Sequence, residues 1–167
     1  YMAEYEAAIE AIDEIPGIAR RSAEVILAEI GLDMGRFPSA AHLCSWAGVC
    51  PGNYQSAGRR KHGKTTKGNK ALKTILTQCA KSAKTVKSSY FFAQYQRISA
   101  RRGKNRATLA VAHSMLIAIY NILKNKTAFH DLGSDYYDSF NRDRKINSYL
   151  KRLKALGWEP DAIPSSA

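Results

Sequence analysis

Between Met34 and His130 lie 97 consecutive residues without one Asp or Glu, and 18 of them are Lys or Arg. A globular stretch of that length normally mixes its signs, so on the order of a dozen acids are expected. Their loss removes the local salt-bridge partners. Whatever fold the segment adopts must turn its cations to water or to a polyanion supplied from outside. The gap also excludes a chemistry: a carboxylate metal site of the polymerase or RNase kind cannot be assembled from these residues. All 14 acids are confined to residues 4–33 and 131–161.

A length of 167 residues fits one domain with a buried core, and 45% hydrophobic content with nine Tyr argues for a folded protein rather than a basic tail. The net charge of +12 makes nucleic acid the first candidate partner, although an anionic membrane surface attracts the same charge. The longest apolar run, 109–120, is interrupted by His113 and Ser114 and is too short to span a bilayer, so no membrane association is expected. No secretory signal is visible. Cys44, Cys50 and Cys79 lack C-x-x-C spacing and read as reduced, buried thiols of a cytoplasmic protein. Helix-like sequence begins at Tyr1, which reads as a piece of a longer protein.

The first 33 residues form a helical hairpin by pattern. Tyr5, Ala8, Ile9 and Ile12 share one face of a helix over 1–12, and Ala23, Ile26, Leu27 and Ile30 share one face of a helix over 19–30, with Gly31 as its C-cap. Between them, Ile15-Pro16-Gly17-Ile18 resembles a helix-hairpin-helix motif, in which the glycine lets backbone N–H groups at Gly17 and Ile18 face a phosphate. Arg20 and Arg21 lie in the first turn of the second helix, where cations oppose the helix dipole and need a compensating anion or a path to solvent. A plain αα-turn with solvated arginines satisfies the same pattern. Phosphate contacts there would hold a backbone without reading sequence.

Ser39 is the expected N-cap of a short helix carrying Leu43, Trp46 and Ala47 on its apolar stripe and ending at Gly48. A loop follows from Val49, and in it Arg59, Arg60, Lys61, His62, Lys64, Lys67, Asn69 and Lys70 alternate with glycines and hydroxyls. Such a backbone suits the wrapping of phosphates. The next helix turns Leu72, Ile75, Leu76, Cys79 and Val86 inward, with Lys73, Lys81, Lys84 and Lys87 outside.

The order of Ile15–Ile18, Ala28–Gly31, Phe37–Ala40, Trp46–Pro51, Gln55–Gly58 and Lys67–Leu72 resembles the C-terminal transposase domain of bacterial insertion-sequence transposases of the DEDD/serine type, the RNA-guided bridge recombinases. The likeness continues through Asp131–Tyr137 and Leu153–Trp158. Two departures stand out: Ala57 replaces a frequent Ser or Gly, and Lys67-Gly68 is one residue shorter than the usual Lys-x-Gly-Asn. The resemblance implies a serine nucleophile that attacks DNA phosphodiesters, and Pro51–Ser56 matches the stretch that carries it, so the role falls on Ser56. It implies as well a separate RuvC-like domain whose acids bind Mg²⁺, a guide RNA, and a homo-oligomer in the active complex. No cofactor is then expected in this chain itself. Arg59, Arg60 and Lys61 suit phosphorane charge; His62, the one nearby general base, has no Asp to orient it and reads as a phosphate donor, leaving the Mg²⁺ of the implied RuvC-like domain as the activator of the serine. Read from the residues alone, Ser56 is first a turn-forming serine beside Gly58, and it is the family resemblance that reverses that order.

Further on, Phe91, Phe92, Tyr95 and Ile98 cluster on a helix over 89–100 and read as core rather than a base-stacking platform. Residues 101–106 form a second basic loop in which Arg101, Arg102 and Lys104 are candidate phosphate contacts and Asn105 a possible N-cap. The helix over 107–124 is apolar almost all round and should be the buried centre, with His113 a hydrogen-bonded core residue. Asp131, Asp135 and Asp138 belong to a solvated linker, and a last helix covers 146–156. No internal repeat and no strand pair are visible.

The expectation is an all-α fold of six or seven helices with a basic loop over 49–67. Its parts are a hairpin at 1–33, a basic helical core at 34–124 and a C-terminal extension at 125–167. The functional expectation is a DNA-binding, nucleophile-bearing transposase domain. Its rivals are a non-catalytic helix-hairpin-helix module and an RNA-binding accessory protein.

Overall fold

Short polar residues and glycines mark where these helices start and stop. In a computed structural model, which describes residues 2–50, 55–56, 59–60, 67–140 and 142–158 (for 55, 56, 59, 60 and 140, the backbone), the fold is all-helical. The elements run α1 (Met2–Asp13), α2 (Arg20–Ile30), a 3₁₀ turn (Met34–Arg36), α3 (Ala40–Ala47), β1 (Gln55–Ser56), β2 (Arg59–Arg60), α4 (Lys70–Ala83), α5 (Tyr90–Arg102), α6 (Lys104–Asn125), α7 (Tyr136–Phe140) and α8 (Arg142–Ala155). The β1–β2 pair, which the sequence did not suggest, is antiparallel and only two residues long, with Ser56 opposite Arg59 and Gln55 opposite Arg60.

The chain divides into two units, residues 1–134 and 135–167. In the first, α6 is the central helix, and α3, α4 and α5 pack on it. Its Val111, Ala112, Met115, Leu116 and Ile119 are fully buried. Burying an aliphatic side chain of this size contributes about 1.5–3 kcal/mol, so this one helix anchors much of the unit's stability. By length and composition α6 would also cross a membrane, but half of its most apolar window is buried inside the protein, as in the core helix of a folded domain. Tyr120 fixes its far end: the hydroxyl donates to Phe37 O at 3.1 Å and accepts from Lys124 Nζ at 3.1 Å. The aromatics of α5 are core as expected, with Phe91 and Tyr95 buried and Phe91 stacked on Phe129 at 6.1 Å.

Several expectations need correction. Val86 lies past the end of α4 and is exposed, because the helix stops at Ala83. Trp46 leaves the apolar stripe of α3; it is 43% exposed and tilts against Phe37 with centroids 5.6 Å apart. The second basic loop is no loop. α5 continues through Arg102, α6 begins at Lys104, and Gly103 at φ +84° makes the corner alone, so Asn105 sits inside the first turn rather than at the cap. Asp131 is not a solvated linker acid: its Oδ1 accepts from Tyr90 N at 2.8 Å and Gly133 N at 2.9 Å. Together with Ser134 N donating to Ser88 O at 3.0 Å, this holds the strip after α6 to the start of α5.

In the second unit α8 begins four residues earlier than expected and buries none of its residues. It closes with Gly157 N donating to Lys154 O and Trp158 N to Leu153 O, both at 3.0 Å. That pair of bonds is a Schellman cap, and it accounts for the Leu-Lys-Ala-Leu-Gly-Trp ending. Lys145 pairs with Asp138.

Candidate nucleic-acid interface

The described residues on either side of the basic loop meet at a single point. α3 ends in a Schellman cap, with Gly48 N donating to Ser45 O and Val49 N to Cys44 O, both at 3.1 Å, and Val49 and Cys44 buried beneath it. The returning chain crosses this cap backbone to backbone. A Cβ on Gly68 would lie 2.4 Å from Gly48 N and 2.5 Å from Ala47 C. Immediately afterwards Asn69 N donates to Trp46 O at 3.1 Å. The two stretches that border residues 51–66 in sequence therefore meet in one Gly48–Gly68 contact.

Asn69, expected to contact phosphate, is committed elsewhere. Its Oδ1 accepts from Leu72 N at 3.0 Å as the N-cap of α4, and its Nδ2 donates to Glu29 Oε2 at 2.7 Å. The flanking Lys67 and Lys70 are exposed, while Lys73 is half-buried. The backbones of Ser56, Arg59 and Arg60 lie in the two-residue ladder. Lys61, His62 and Lys64 lie outside the described residues, as do the side chains of Ser56, Arg59 and Arg60.

At the other end of α4, Lys84 and Thr85 face Tyr95, Gln96 and Ser99 of α5 and Lys104 of α6 across an open groove of about 540 Å³. Lys84 Nζ sits 5.5 Å from the centre of the Tyr95 ring. A shallower concavity, lined by Arg102, Gly103, Lys104, Asn105 and Arg106, shares Lys104 with that groove. Arg101, Arg102 and Lys104 are all exposed, and no carboxylate lines either hollow. The structure thus brings Arg102 and Lys104 together with Lys84, which the sequence placed merely on an outer helical face.

The hairpin is built differently from the phosphate-binding expectation. Gly17 has φ +90°, but the space a Cβ would need is filled by the Ala83 backbone at 2.4 Å, so the close approach of α4 already demands glycine. The Ile18 side chain is buried. Arg20 finds its compensating anion inside the chain: Nη2 reaches Glu6 at 2.6 and 2.8 Å, and Nε lies 3.5 Å from Glu24. These carboxylates, Glu6 first, raise its pKa. Arg21 is exposed.

Nothing here is arranged as a metal centre: among the described residues no three His, Cys, Asp or Glu form a cluster able to hold an ion. The three cysteines are free thiols. Burial pushes the Cys44 pKa up to about 12 and raises those of Cys50 and Cys79, so none is a ready thiolate. Cys50 is only half-buried, against expectation. Burial lowers the pKa of His113, half-buried on α6, which suits a neutral core imidazole.

Sequence reasoning missed Glu29, Gly48 and Lys84. The first two stand inside the Ala-Glu-x-Gly and Trp-Ala-Gly stretches already singled out, which was the signal available.

Residues 9–96, just over half of the chain, match the family described as Transposase IS116/IS110/IS902. A curated relative, the insertion element IS110 uncharacterized 43.6 kDa protein of Streptomyces coelicolor, is 30% identical over an alignment of 125 residues. That alignment covers 71% of this chain and 29% of the relative, so the chain spans well under half of that protein's length. The family match runs from within α1 to within α5 and takes in the whole basic loop and the Gly48–Gly68 crossing. The chain belongs to the IS116/IS110/IS902 family of transposases.

Proposed function

We propose that this chain is the DNA-gripping, nucleophile-bearing domain of an insertion-sequence transposase, with Ser56 as the attacking group. The observation that carries the reading is the placement of uncompensated charge along α4. At its C-terminal end lies the Lys84–Lys104 groove, whose lining holds no carboxylate; its N-terminal end follows directly in sequence on the stretch that carries Ser56, Arg59, Arg60, Lys61, His62 and Lys64. A 14-residue helix is about 21 Å long, close to six base-pair steps of about 3.4 Å. One stretch of phosphodiester backbone can meet both ends.

In the proposed step Ser56 Oγ forms a bond to a DNA phosphorus while the bond from that phosphorus to one sugar oxygen breaks. The serine proton leaves to a base, the sugar oxygen departs as a hydroxyl after taking up a proton, and nothing is oxidised or reduced. Rejoining is the reverse, with a hydroxyl from another strand end displacing the serine. Arg59, Arg60 and Lys61 supply positive charge for the pentavalent phosphorus. In this reading Mg²⁺ would be held by the acids of the separate RuvC-like domain that the family resemblance implies, and would favour loss of the serine proton. A guide RNA, a homo-oligomeric assembly and work on DNA in the bacterial cytoplasm complete the reading.

The test uses the full-length protein. Ser56→Ala should bind DNA as the parent does and form no covalent protein–DNA adduct and no recombinant. Unchanged recombination would leave a non-catalytic binding module. A preference for folded RNA over duplex DNA at fixed salt would favour an RNA-binding role.

A further inference from the structure

Three separate stretches, Ala28–Gly31, Trp46–Gly48 and Lys67–Lys70, meet at the root of the basic loop, and their meeting point is the side chain of Asn69. It caps α4 through Leu72 N, donates to Glu29 of α2 at 2.7 Å, and its own N–H holds Trp46 O at the end of α3. Asn69 therefore joins three helices within one residue, directly beside the Gly48–Gly68 crossing at which the two stretches bordering 51–66 meet. Glu29 is an acid from outside the acid-free run, and it meets the amide of Asn69, in a charge-assisted hydrogen bond.

We infer that Glu29 and Asn69 are positioning residues: the pair sets the seat of the loop and through it the placement of Ser56, and Asn69 is not a phosphate ligand. The effect on recombination rests on the Ser56 reading above; the effect on the loop root does not. Asn is the side chain suited to this place because the cap needs an acceptor and Glu29 needs a donor. Asp supplies only the first, Lys only the second. The exchange of roles is equally defined: Gln at 29 can donate to Asp at 69, whose second oxygen still caps α4, and the pair keeps one negative charge.

The experiment compares parent, Glu29→Ala, Asn69→Asp, the Glu29→Gln/Asn69→Asp double variant and Ser56→Ala in the full-length protein. Amide hydrogen exchange is followed in peptides covering 45–50 and 67–72, beside recombination turnover and DNA affinity. Loss of one charge-assisted bond should speed exchange at the root about tenfold and slow turnover by a similar factor, with DNA affinity held within about twofold. The double variant should return both towards the parent. Glu29→Ala leaves the α4 cap in place, so it decides the matter if Asn69→Asp does not fold. Parent-like exchange in the single variants, a double variant as defective as Asn69→Asp, or a loosened root with undiminished turnover overturns the inference. If Ser56→Ala recombines normally, the nucleophile reading falls, while exchange and rescue at the root still judge the pair.

Discussion

Replacing Gly68 with Ala places two separate penalties on one atom. The residue has φ +54°, a left-handed conformation that costs an ordinary L-residue about 1–2 kcal/mol. The new Cβ would also sit 2.4–2.5 Å from Gly48 N, Ala47 C and Gly48 Cα, none of which can swing aside as a side chain tip does. The α3 cap and the α4 start must separate by most of an ångström, an overpacking cost of about 1–3 kcal/mol. The unfolded chain gives back roughly 0.4–1 kcal/mol because Ala has less freedom to lose. The net is about 2–4 kcal/mol against a typical total of about 5–15 kcal/mol. Gly103→Ala is the matched control. Its φ of +84° with ψ 163° is a conformation essentially kept for glycine, but nothing lies within 4 Å of the added atom, so only backbone strain remains and the net is about 0.5–2 kcal/mol. Urea unfolding followed by Trp46 fluorescence in a Trp158→Phe background reads the difference. With a slope of about 1–3 kcal/mol/M, the Gly68 variant should lose about 1–2 M in midpoint at constant slope. Gly17→Ala should resemble it, since its Cβ would meet Ala83 N at 2.4 Å. Equal midpoints for the Gly68 and Gly103 variants would refute the crossing as the anchor of the loop.

Three further outcomes follow from charge and burial. Log affinity for duplex DNA should fall linearly with log salt; Arg102→Ala and Lys104→Ala should each reduce the slope by about 0.9, while Arg20→Ala, whose guanidinium is held by Glu6 and Glu24, should leave it unchanged. Because burial lowers the His113 pKa, the unfolded chain takes up a proton near its ordinary value of about 6.5 before the folded chain does. Stability should therefore be full above that pH and be lost as pH falls towards the depressed folded value, and His113→Gln should flatten this part of a urea-midpoint profile. A thiol reagent at pH 8 should label half-buried Cys50 first, with Cys44 and Cys79 reacting on the unfolding timescale; equal rates for all three would contradict their burial.

What the sequence revealed is what local chemistry decides. Ser39 as a cap, Gly31 and Gly48 as stops, and the α2 face of Ala23, Ile26, Leu27 and Ile30 all follow from short-range hydrogen bonding and helical period, and all are observed. The apolar run of α6 foretold the central helix for the same reason. The errors lie where a neighbour distant in sequence decides. Trp46 fits the stripe of α3 by spacing, yet it is exposed, with Phe37 against its ring. Asp131 resembles linker acidity until the N-terminus of α5, 41 residues away in sequence, is brought against it. Gly17 is singled out by its turn, and the backbone of Ala83 beside it adds a second demand for glycine that no local pattern encodes.

The acid-free run acquires its meaning from where the flanking acids go. Glu29 and Asp131 both reach into the run from its two borders, and both accept from neutral N–H donors, an Asn side chain at the start of α4 and a backbone amide at the start of α5. A carboxylate at a helix start stabilises that end by satisfying an orphan N–H or by meeting the positive pole. The ion pairs of Arg20 and Lys145, by contrast, use cations from outside the run. The fold thus spends its nearest acids on helix ends and leaves the exposed Arg101, Arg102 and Lys104 beside a groove without a carboxylate. Self-repulsion in such an arrangement is a standing cost to stability that a bound polyanion relieves. Folding stability and nucleic-acid binding are therefore linked in this chain: duplex DNA should raise its urea midpoint at low salt and do so progressively less as salt is added. A midpoint indifferent to DNA at low salt would mean that the charge serves something other than phosphate.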